Sequence, residues 1–204
     1  MNEPFAIHGV KENVSEFIIE LLNQVGLSSS HANRYPHEMS GGQLQRVGIA
    51  RAIALNPSLV VADEPVSALD VSVQAQVVNL MIDLKEKLGI SYLFISHDMG
   101  VVEYFCDRVA VMYLGKIVEI ASSEEIYKRP CHPYTEALLN AVPGLELGRP
   151  NQKTKVIGDA PDLSTLSKGC SFHTRCPIKE KQCEEMEPTL KEVTSGHYVA
   201  CFLK

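Results

Sequence analysis

The sequence predicts an α/β fold, a parallel sheet flanked by helices, followed by a cysteine-rich C-terminal extension. Leu59-Val60-Val61-Ala62 is an apolar run without polar alternation, which reads as a strand buried on both faces, as in a parallel sheet. A helical stripe over residues 72–88 leads to a second apolar run, Ile90 to Ile95, and this strand–helix–strand order implies a parallel crossover. Four of the six cysteines then cluster between residues 170 and 201.

Taken in order, Glu3-Pro4-Phe5 leads into a helix from about Val10 to Val25. Val14, Phe17, Ile18, Leu21, Leu22 and Val25 recur there at helical spacing, and Gly26 ends it. Residues 27–38 are polar, contain Pro36 and read as a loop. Ser40 is a good N-cap for the next helix, and Gly41 and Gly42 let a backbone come close to another group. The start of such a helix is a ready anion site, although Ser-Gly-Gly alone is more often the pattern of a plain turn or cap. Leu44, Val47, Ile49, Ala50, Ile53 and Ala54 form the apolar face, and Pro57 stops the helix.

Asp63 and Glu64 follow the first strand, at the edge where open α/β sheets bind ligands. An Asp there suits the water shell of Mg²⁺, and the next carboxylate could orient or deprotonate an attacking water; a solvated loop with two acids is the plainer alternative. Ser67-Ala68-Leu69-Asp70 is a turn into the helix over 72–88. Val73, Val77, Leu80, Met81, Leu84 and Leu88 make its core stripe, and Gly89 ends it. A lone histidine is more often structural than catalytic, but His97 stands at the end of the second strand, as the two acids stand at the end of the first. Met99 to Phe105 reads as a short helix. Residues 107–114 and 116–120 read as strands around Gly115, and residues 122–129 as a helix capped by Ser122.

The 204-residue chain carries a net charge of −6 and no long basic run, which argues against nucleic acid as a partner. Its apolar fraction, 45%, is enough for a core. No apolar stretch approaches the ~18–20 residues of a bilayer span, and MNEPFAIHGV lacks the basic start and apolar block of a signal peptide. A cytosolic protein is expected, with any membrane contact made through a partner.

Four of these segments, in this order, resemble the nucleotide-binding subunits of ABC transporters. Met39-Ser40-Gly41-Gly42-Gln43 is similar to their signature motif, with Met where Leu is usual. Val60-Val61-Ala62-Asp63-Glu64-Pro65 resembles the Walker-B strand with its catalytic glutamate. Ser67-Ala68-Leu69-Asp70 resembles the D-loop, and Ser96-His97-Asp98 the switch-histidine motif. The resemblance implies a P-loop NTPase-like ABC ATPase fold that binds ATP and Mg²⁺. Glu64 and His97 would be catalytic; Ser40, Gly41, Gly42, Gln43, Asp63 and Asp70 would bind nucleotide and metal. Expected partners are a second ATPase subunit, transmembrane permease subunits and, indirectly, an extracytoplasmic substrate-binding protein, with the ATPase peripheral on the inner face of the cell membrane. The motif G-x-x-x-x-G-K-[ST] occurs nowhere; Gly115-Lys116 is followed by Ile117 and lacks the upstream glycine. In the family that loop precedes the residues matched here, so the resemblance implies the C-terminal portion of such a subunit, truncated at the N-terminus and expected to be inactive alone.

The last third narrows the branch. Cys170, Cys176, Cys183 and Cys201 follow the spacing C-x5-C-x6-C-x17-C, after a linker-like stretch over 144–169 rich in Gly, Pro, Lys and Asp. Four thiolates can complete a Zn²⁺ site or hold an iron–sulfur cluster, and plain reduced thiols remain a third reading. Intervals wider than the C-x2–4-C pairs common in zinc sites favour the cluster. Cys106 and Cys131 lie outside the pattern, and Cys106, ending an apolar helix, reads as core. His132-Pro133-Tyr134-Thr135 and Gly169-Cys170-Ser171-Phe172-His173-Thr174-Arg175-Cys176-Pro177 resemble segments of the oligopeptide and dipeptide (in close relatives, nickel) import branch, whose members are similar in carrying a [4Fe–4S] cluster there. His132 and Tyr134 read as packing residues. Three regions follow: residues 1–57, a partial helical signature subdomain; 58–121, a partial catalytic α/β core; and 122–204, the importer extension with its cysteines. Two other functions share parts of the pattern: a soluble ABC-type ATPase of repair or translation, and an iron–sulfur or regulatory fragment without ATPase role.

Overall fold

The computed structural model describes residues 1–9, 13–142 and 168–204. They form two compact units, Met1–Val101 and Val102–Lys204.

The first unit opens with α1 (Glu3–Ile7) and α2 (Val14–Gln24). The expected helix start near Val10 falls on residues 10–12, outside the described residues. α1 was not foreseen: five residues are too few to show a periodicity. Phe5 on α1 is buried and stacks on Phe17 at 6.2 Å, so Phe17, expected in the core stripe, caps Phe5 and stays 45% exposed. Ile18, Leu21, Leu22 and Val25 are buried, and Gly26 ends the helix at φ +72°, a left-handed conformation that glycine adopts without steric cost. The expected loop contains two short 3₁₀ turns, Ser29–Asn33 and Pro36–Glu38. α3 (Gly41–Ile53) starts after Ser40, and Arg46 donates to the carbonyl of Val25 at 2.8 Å, tying α3 to the end of α2. Ile49, Ala50 and Ile53 are buried, while Leu44 is partly exposed.

β1 (Leu59–Asp63) pairs in parallel with β2 (Ser91–Ile95), in register from Leu59↔Ser91 to Asp63↔Ile95. Between them α4 (Val71–Leu88) buries Val77, Val78, Met81 and Leu84 and ends at Gly89, φ +65°. The parallel crossover is as expected. Burial of the strands on both faces is not: Leu59, Val61, Leu93 and Ile95 are 45–60% exposed. Side chains alternate along a strand, so these four share one face, and none of the described residues of this unit supplies a layer to cover it. An apolar run shows that a strand could be buried twice; it does not supply the second layer.

The second unit is built on an antiparallel sheet of order β3-β4-β6-β5. β3 (Arg108–Tyr113) and β4 (Lys116–Ser122) join through Leu114 and Gly115, both at positive φ (47° and 78°), the backbone of a tight two-residue hairpin. α6 (Ser123–Lys128) is capped by Ser122, whose Oγ accepts from the Glu125 amide at 3.2 Å. α7 (Pro133–Asn140) and the single turn α8 (Gln182–Glu185) follow. β5 (Lys191–Thr194) and β6 (His197–Val199) complete the sheet, so the end of the chain pairs with β4 through β6. No strand is expected over residues 190–204. Val193-Thr194, Ser195-Gly196 and His197-Tyr198-Val199 carry a hairpin signal, with Gly196 at φ +74°, but each strand is too short for clear alternation. Val109, Val111, Val118, Ile126, Leu139, Phe172 and Val199 form the core; Cys106 is only half-buried. The linker expected over 144–169 lies almost wholly outside the described residues.

Candidate functional site

Because β1 and β2 are parallel and end level, the residues after them leave the sheet side by side. Glu64 follows β1, and its amide donates to the carbonyl of Ile95 at 2.9 Å, carrying the pairing one residue past the strand. Its φ is +47°, unusual for a residue with a Cβ. The turn holds it there: the Glu64 carbonyl accepts from Ser67 Oγ at 3.1 Å and from the Ser67 amide at 3.4 Å. Glu64 Oε1 then lies 2.8 Å from His97 Nδ1.

Both groups reach solvent, with side-chain exposures of 37% for Glu64 and 77% for His97. The hydrogen bond to Glu64 raises the His97 pKa above its ordinary value, aided by the charges of Glu64 and Asp98. The folded chain therefore holds this proton more tightly than the unfolded chain. The contact stabilises fully below the ordinary histidine pKa, and that contribution is lost as pH rises through the raised one. An NMR titration of the His97 ring in this chain is expected to show a midpoint above about 6.5, and Glu64→Gln is expected to lower it. A midpoint that Glu64→Gln leaves unchanged would mean the two groups are not coupled.

The loop carrying His97 is braced by Asp98. Asp98 Oδ1 accepts from the amides of Gly100 and Val101 at 3.0 and 3.2 Å, capping α5 (Met99–Phe105). Its Oδ2 accepts from Gln74 on α4 at 3.0 Å, and its own amide donates to Ser96 Oγ at 3.1 Å. Sequence reasoning assigned no task to Ser67, Gln74 or Asp98. Asp98 was findable, being an N-cap residue just before a helical run. Gln74 was not, since its partner lies 24 residues away.

Asp63 is the last residue of β1 and is exposed. Asp70 caps α4, accepting from Ser72 Oγ at 2.7 Å and the Val73 amide at 3.0 Å; the Ser72 bond, then the Val73 bond, hold its carboxyl below the usual range. Ser40 and Gln43 form a reciprocal cap: Ser40 Oγ accepts from the Gln43 amide at 3.3 Å, and Gln43 Oε1 accepts from the Ser40 amide at 3.0 Å. Gln43 Nε2 also lies 3.4 Å from His31 Nε2. The Gln43 side chain thus sets the shape of the helix start. Gly42 faces α4 so closely that a Cβ there would lie 2.5 Å from Val73 Cγ1, whereas at Gly41 the nearest atom, Leu69 Cδ2, would be an ordinary 3.5 Å away. Ser40 and Gly41 are exposed, and the first amides of a helix have no intrahelical acceptor. The start of α3 can therefore receive an anion.

In the second unit the tail cysteines lie near enough to act on one another electrostatically, although no three of their sulfurs lie within 4.8 Å of one another. The Cys170 thiol feels Cys183, Cys201 and Cys176; Cys176 feels Cys201 and Cys183; Cys201 feels Cys183. Burial is the main cause that raises the pKa of Cys170, Cys176 and Cys201, and the neighbouring sulfurs add to it. Four free thiols in one half-buried neighbourhood are a donor set that suits a thiophilic metal centre. The Cys170 amide donates to the Cys183 carbonyl at 2.8 Å, and a Cβ on buried Gly169 would come within 2.3 Å of that carbonyl, so glycine is required for this seat. His132 and Tyr134 pack as expected, around buried Phe172, with ring centroids 5.7 and 5.5 Å from it. Burial pushes the His132 pKa down to about 4, against the opposing charge of Glu119. Its neutral Nδ1 accepts from the Tyr134 amide at 3.1 Å, capping α7.

Residues 4–67 match the family model "ABC transporter", and residues 118–183 match "Oligopeptide/dipeptide transporter, C-terminal region". The chain is 51% identical over its full length to the oligopeptide transport ATP-binding protein AppF of Bacillus subtilis, of which it covers 63%. It is 54% identical over 95% of its length to a putative peptide import ATP-binding protein of Brucella ovis, covering 61% of it. It is 47% identical over 99% of its length to the dipeptide transport ATP-binding protein DppF of Haemophilus influenzae, covering 62%. The chain thus spans about three-fifths of the length of these curated relatives. Among solved structures, the ADP conformation of MJ1267, an ATP-binding cassette of an ABC transporter, superposes with a TM-score of 0.56 at 30% identity, over 65% of this chain and 52% of that one.

Proposed function

We propose, for a chain that belongs to the ABC transporter ATP-binding proteins and carries an oligopeptide/dipeptide transporter C-terminal region, that it serves as the ATP-hydrolysing part of a peptide importer. The observation that carries this reading is the Glu64–His97 contact, 2.8 Å, at the ends of two parallel strands. Glu64 accepts a proton from the attacking water, and His97 positions Glu64 and meets the γ-phosphate. The exposed start of α3, with Ser40, Gly41 and Gly42, binds the γ-phosphate of a nucleotide held by a second subunit. Gln43 contributes by capping that helix, and Asp70 acts across the subunit interface from the start of α4. Asp63, an exposed carboxylate at a strand end, fits Mg²⁺, which would neutralise charge on the phosphate oxygens.

The three regions expected from the motifs, 1–57, 58–121 and 122–204, divide this work among signature helix, hydrolytic strand ends and importer extension. Cys170, Cys176, Cys183 and Cys201 would hold a [4Fe–4S] cluster, which takes four thiolates, or else Zn²⁺. Partners are a second ATPase subunit and transmembrane permease subunits, with an extracytoplasmic binding protein acting through the permease. No helix among the described residues is long and apolar enough to cross a membrane. The place of the subunit is peripheral on the inner face of the cell membrane, held there by the permease subunits.

The residues present include no phosphate-cradling G-x-x-x-x-G-K-[ST] loop, so the 204-residue chain alone is expected to bind Mg-ATP weakly and to be inactive. Calorimetric titration checks this, and micromolar affinity would mean the phosphate site has been misplaced. Joined to the preceding ATP-binding half of a relative and assembled with permease subunits in vesicles, the chain is expected to support ATP-dependent accumulation of labelled peptide. An assembled complex that binds ATP but neither hydrolyses it nor takes up peptide overturns the reading.

A further inference from the structure

Glu119, on β4, is fully buried, yet it lies outside the hydrolytic residues and the cysteine cluster. Its Oε1 accepts from His197 Nε2 and from the Cys131 amide, each at 2.7 Å, and its Oε2 accepts from the His132 amide at 2.9 Å. His197, on β6, is 2% exposed, and Cys131, in the segment between α6 and α7, is half-buried. The carboxylate oxygen, the imidazole nitrogen and the Cys131 sulfur all lie within 4.8 Å of one another. The Cys131 thiol donates to the Arg129 carbonyl at 3.6 Å.

We propose that Glu119, Cys131 and His197 form a site for a borderline divalent cation, with Zn²⁺ the natural occupant. One oxygen, one nitrogen and one sulfur donor from three separate segments are a Zn²⁺ set: Mg²⁺ and Ca²⁺ take oxygen ligands and gain nothing from a thiol or an imidazole. Three protein ligands leave one tetrahedral position for water. Metal–oxygen and metal–nitrogen bonds of about 2.0–2.2 Å require the two donor atoms to stand roughly 3.3 Å apart. The present 2.7 Å hydrogen bond must therefore open by about 0.6 Å as the cation takes the place of its proton. On binding, the Cys131 thiol proton leaves to solvent, and the imidazole, which keeps one proton, carries it on Nδ1, leaving the Nε2 lone pair to the cation. The two backbone donors to Glu119 can stay, orienting the ligating carboxylate as outer partners do in established metal sites. Because the donors come from β4, the segment before α7, and β6, occupancy would fasten the end of the chain to the sheet.

The test uses the 204-residue chain, metal-stripped under reducing, anaerobic conditions, with all four tail cysteines kept so that their own metal binding is common to every sample. Zn²⁺ equivalents are counted against a chromophoric chelator, and Co²⁺ reports thiolate ligation by its sulfur-to-metal charge-transfer band. Cys131→Ser keeps the backbone amide that donates to Glu119, and His197→Gln keeps a side-chain N–H for it, so circular dichroism should find both variants folded. The wild-type chain is expected to hold one Zn²⁺ more than either variant. Loss of a ligand should weaken that site by at least about 100-fold, since removal of an outer partner alone weakens such sites by about 10–100-fold. Should a variant fail to fold, alkylation mapping of the wild-type chain decides: Zn²⁺ but not Mg²⁺ should shield Cys131. Equal Zn²⁺ stoichiometry and affinity in all three chains, or Cys131 alkylation indifferent to Zn²⁺, overturns the proposal.

Discussion

Glu119→Ala is expected to unfold the C-terminal unit under conditions where the wild-type chain is folded. The carboxylate is fully buried and accepts from three donors: the Cys131 amide, the His132 amide and His197 Nε2. Alanine leaves all three without an acceptor and opens a cavity beside β4. A buried donor stranded in this way costs about 1–3 kcal/mol, and breaking a buried ion pair or its equivalent about 3–5 kcal/mol. A total near 4 kcal/mol is a large part of the roughly 5–15 kcal/mol by which a domain is stable. For a unit of this size it lowers Tm by roughly 15–30 °C, to be read by thermal unfolding followed by circular dichroism. Glu119→Gln should lose less, because its carbonyl oxygen still accepts from one side. Wild-type stability in Glu119→Ala would mean that the three bonds are replaced by solvent and that β6 is held by other contacts.

The strand-end chemistry of the first unit was legible in the sequence because it follows from short-range rules. An apolar run followed by two acids, a helix, and a second apolar run followed by histidine place Glu64 and His97 on one edge of a parallel pair, and the structure brings them to 2.8 Å. Caps were legible for the same reason: Ser40 and Ser122 each accept from an amide three residues on. What depends on contact between distant segments was not. Glu119 looked like one polar residue in a hairpin, and only the pairing of β4 with β6 brings His197 to it from 78 residues away. The open face of β1 and β2 was misread because burial belongs to the neighbours of a strand as much as to its own residues. Gly42 was read as a place for close approach, and the structure identifies the side chain it approaches, Val73.

Glu64→Gln, in a subunit that carries the ATP-binding half and is assembled with its membrane partners, is expected to show the larger kinetic effect. Glutamine keeps the size of the side chain, and its amide oxygen can still accept from His97 Nδ1, so the turn held by Ser67 and Ile95 is undisturbed. The negative charge and the proton acceptor are lost. A positioned general base contributes about 10²–10⁴-fold to a rate, so turnover should fall by that factor while ATP affinity is kept. Nucleotide then accumulates in the closed pair of subunits, and the ATP-dependent dimer becomes long-lived.

The most direct measurement is single-turnover ATP hydrolysis by the assembled wild-type and Glu64→Gln subunits at saturating Mg-ATP, with bound nucleotide quantified in the same samples. The expected result is stoichiometric ATP bound by both, with cleavage at least about 100-fold slower in the variant. Cleavage at the wild-type rate in Glu64→Gln would contradict the assignment of hydrolysis to the paired ends of β1 and β2.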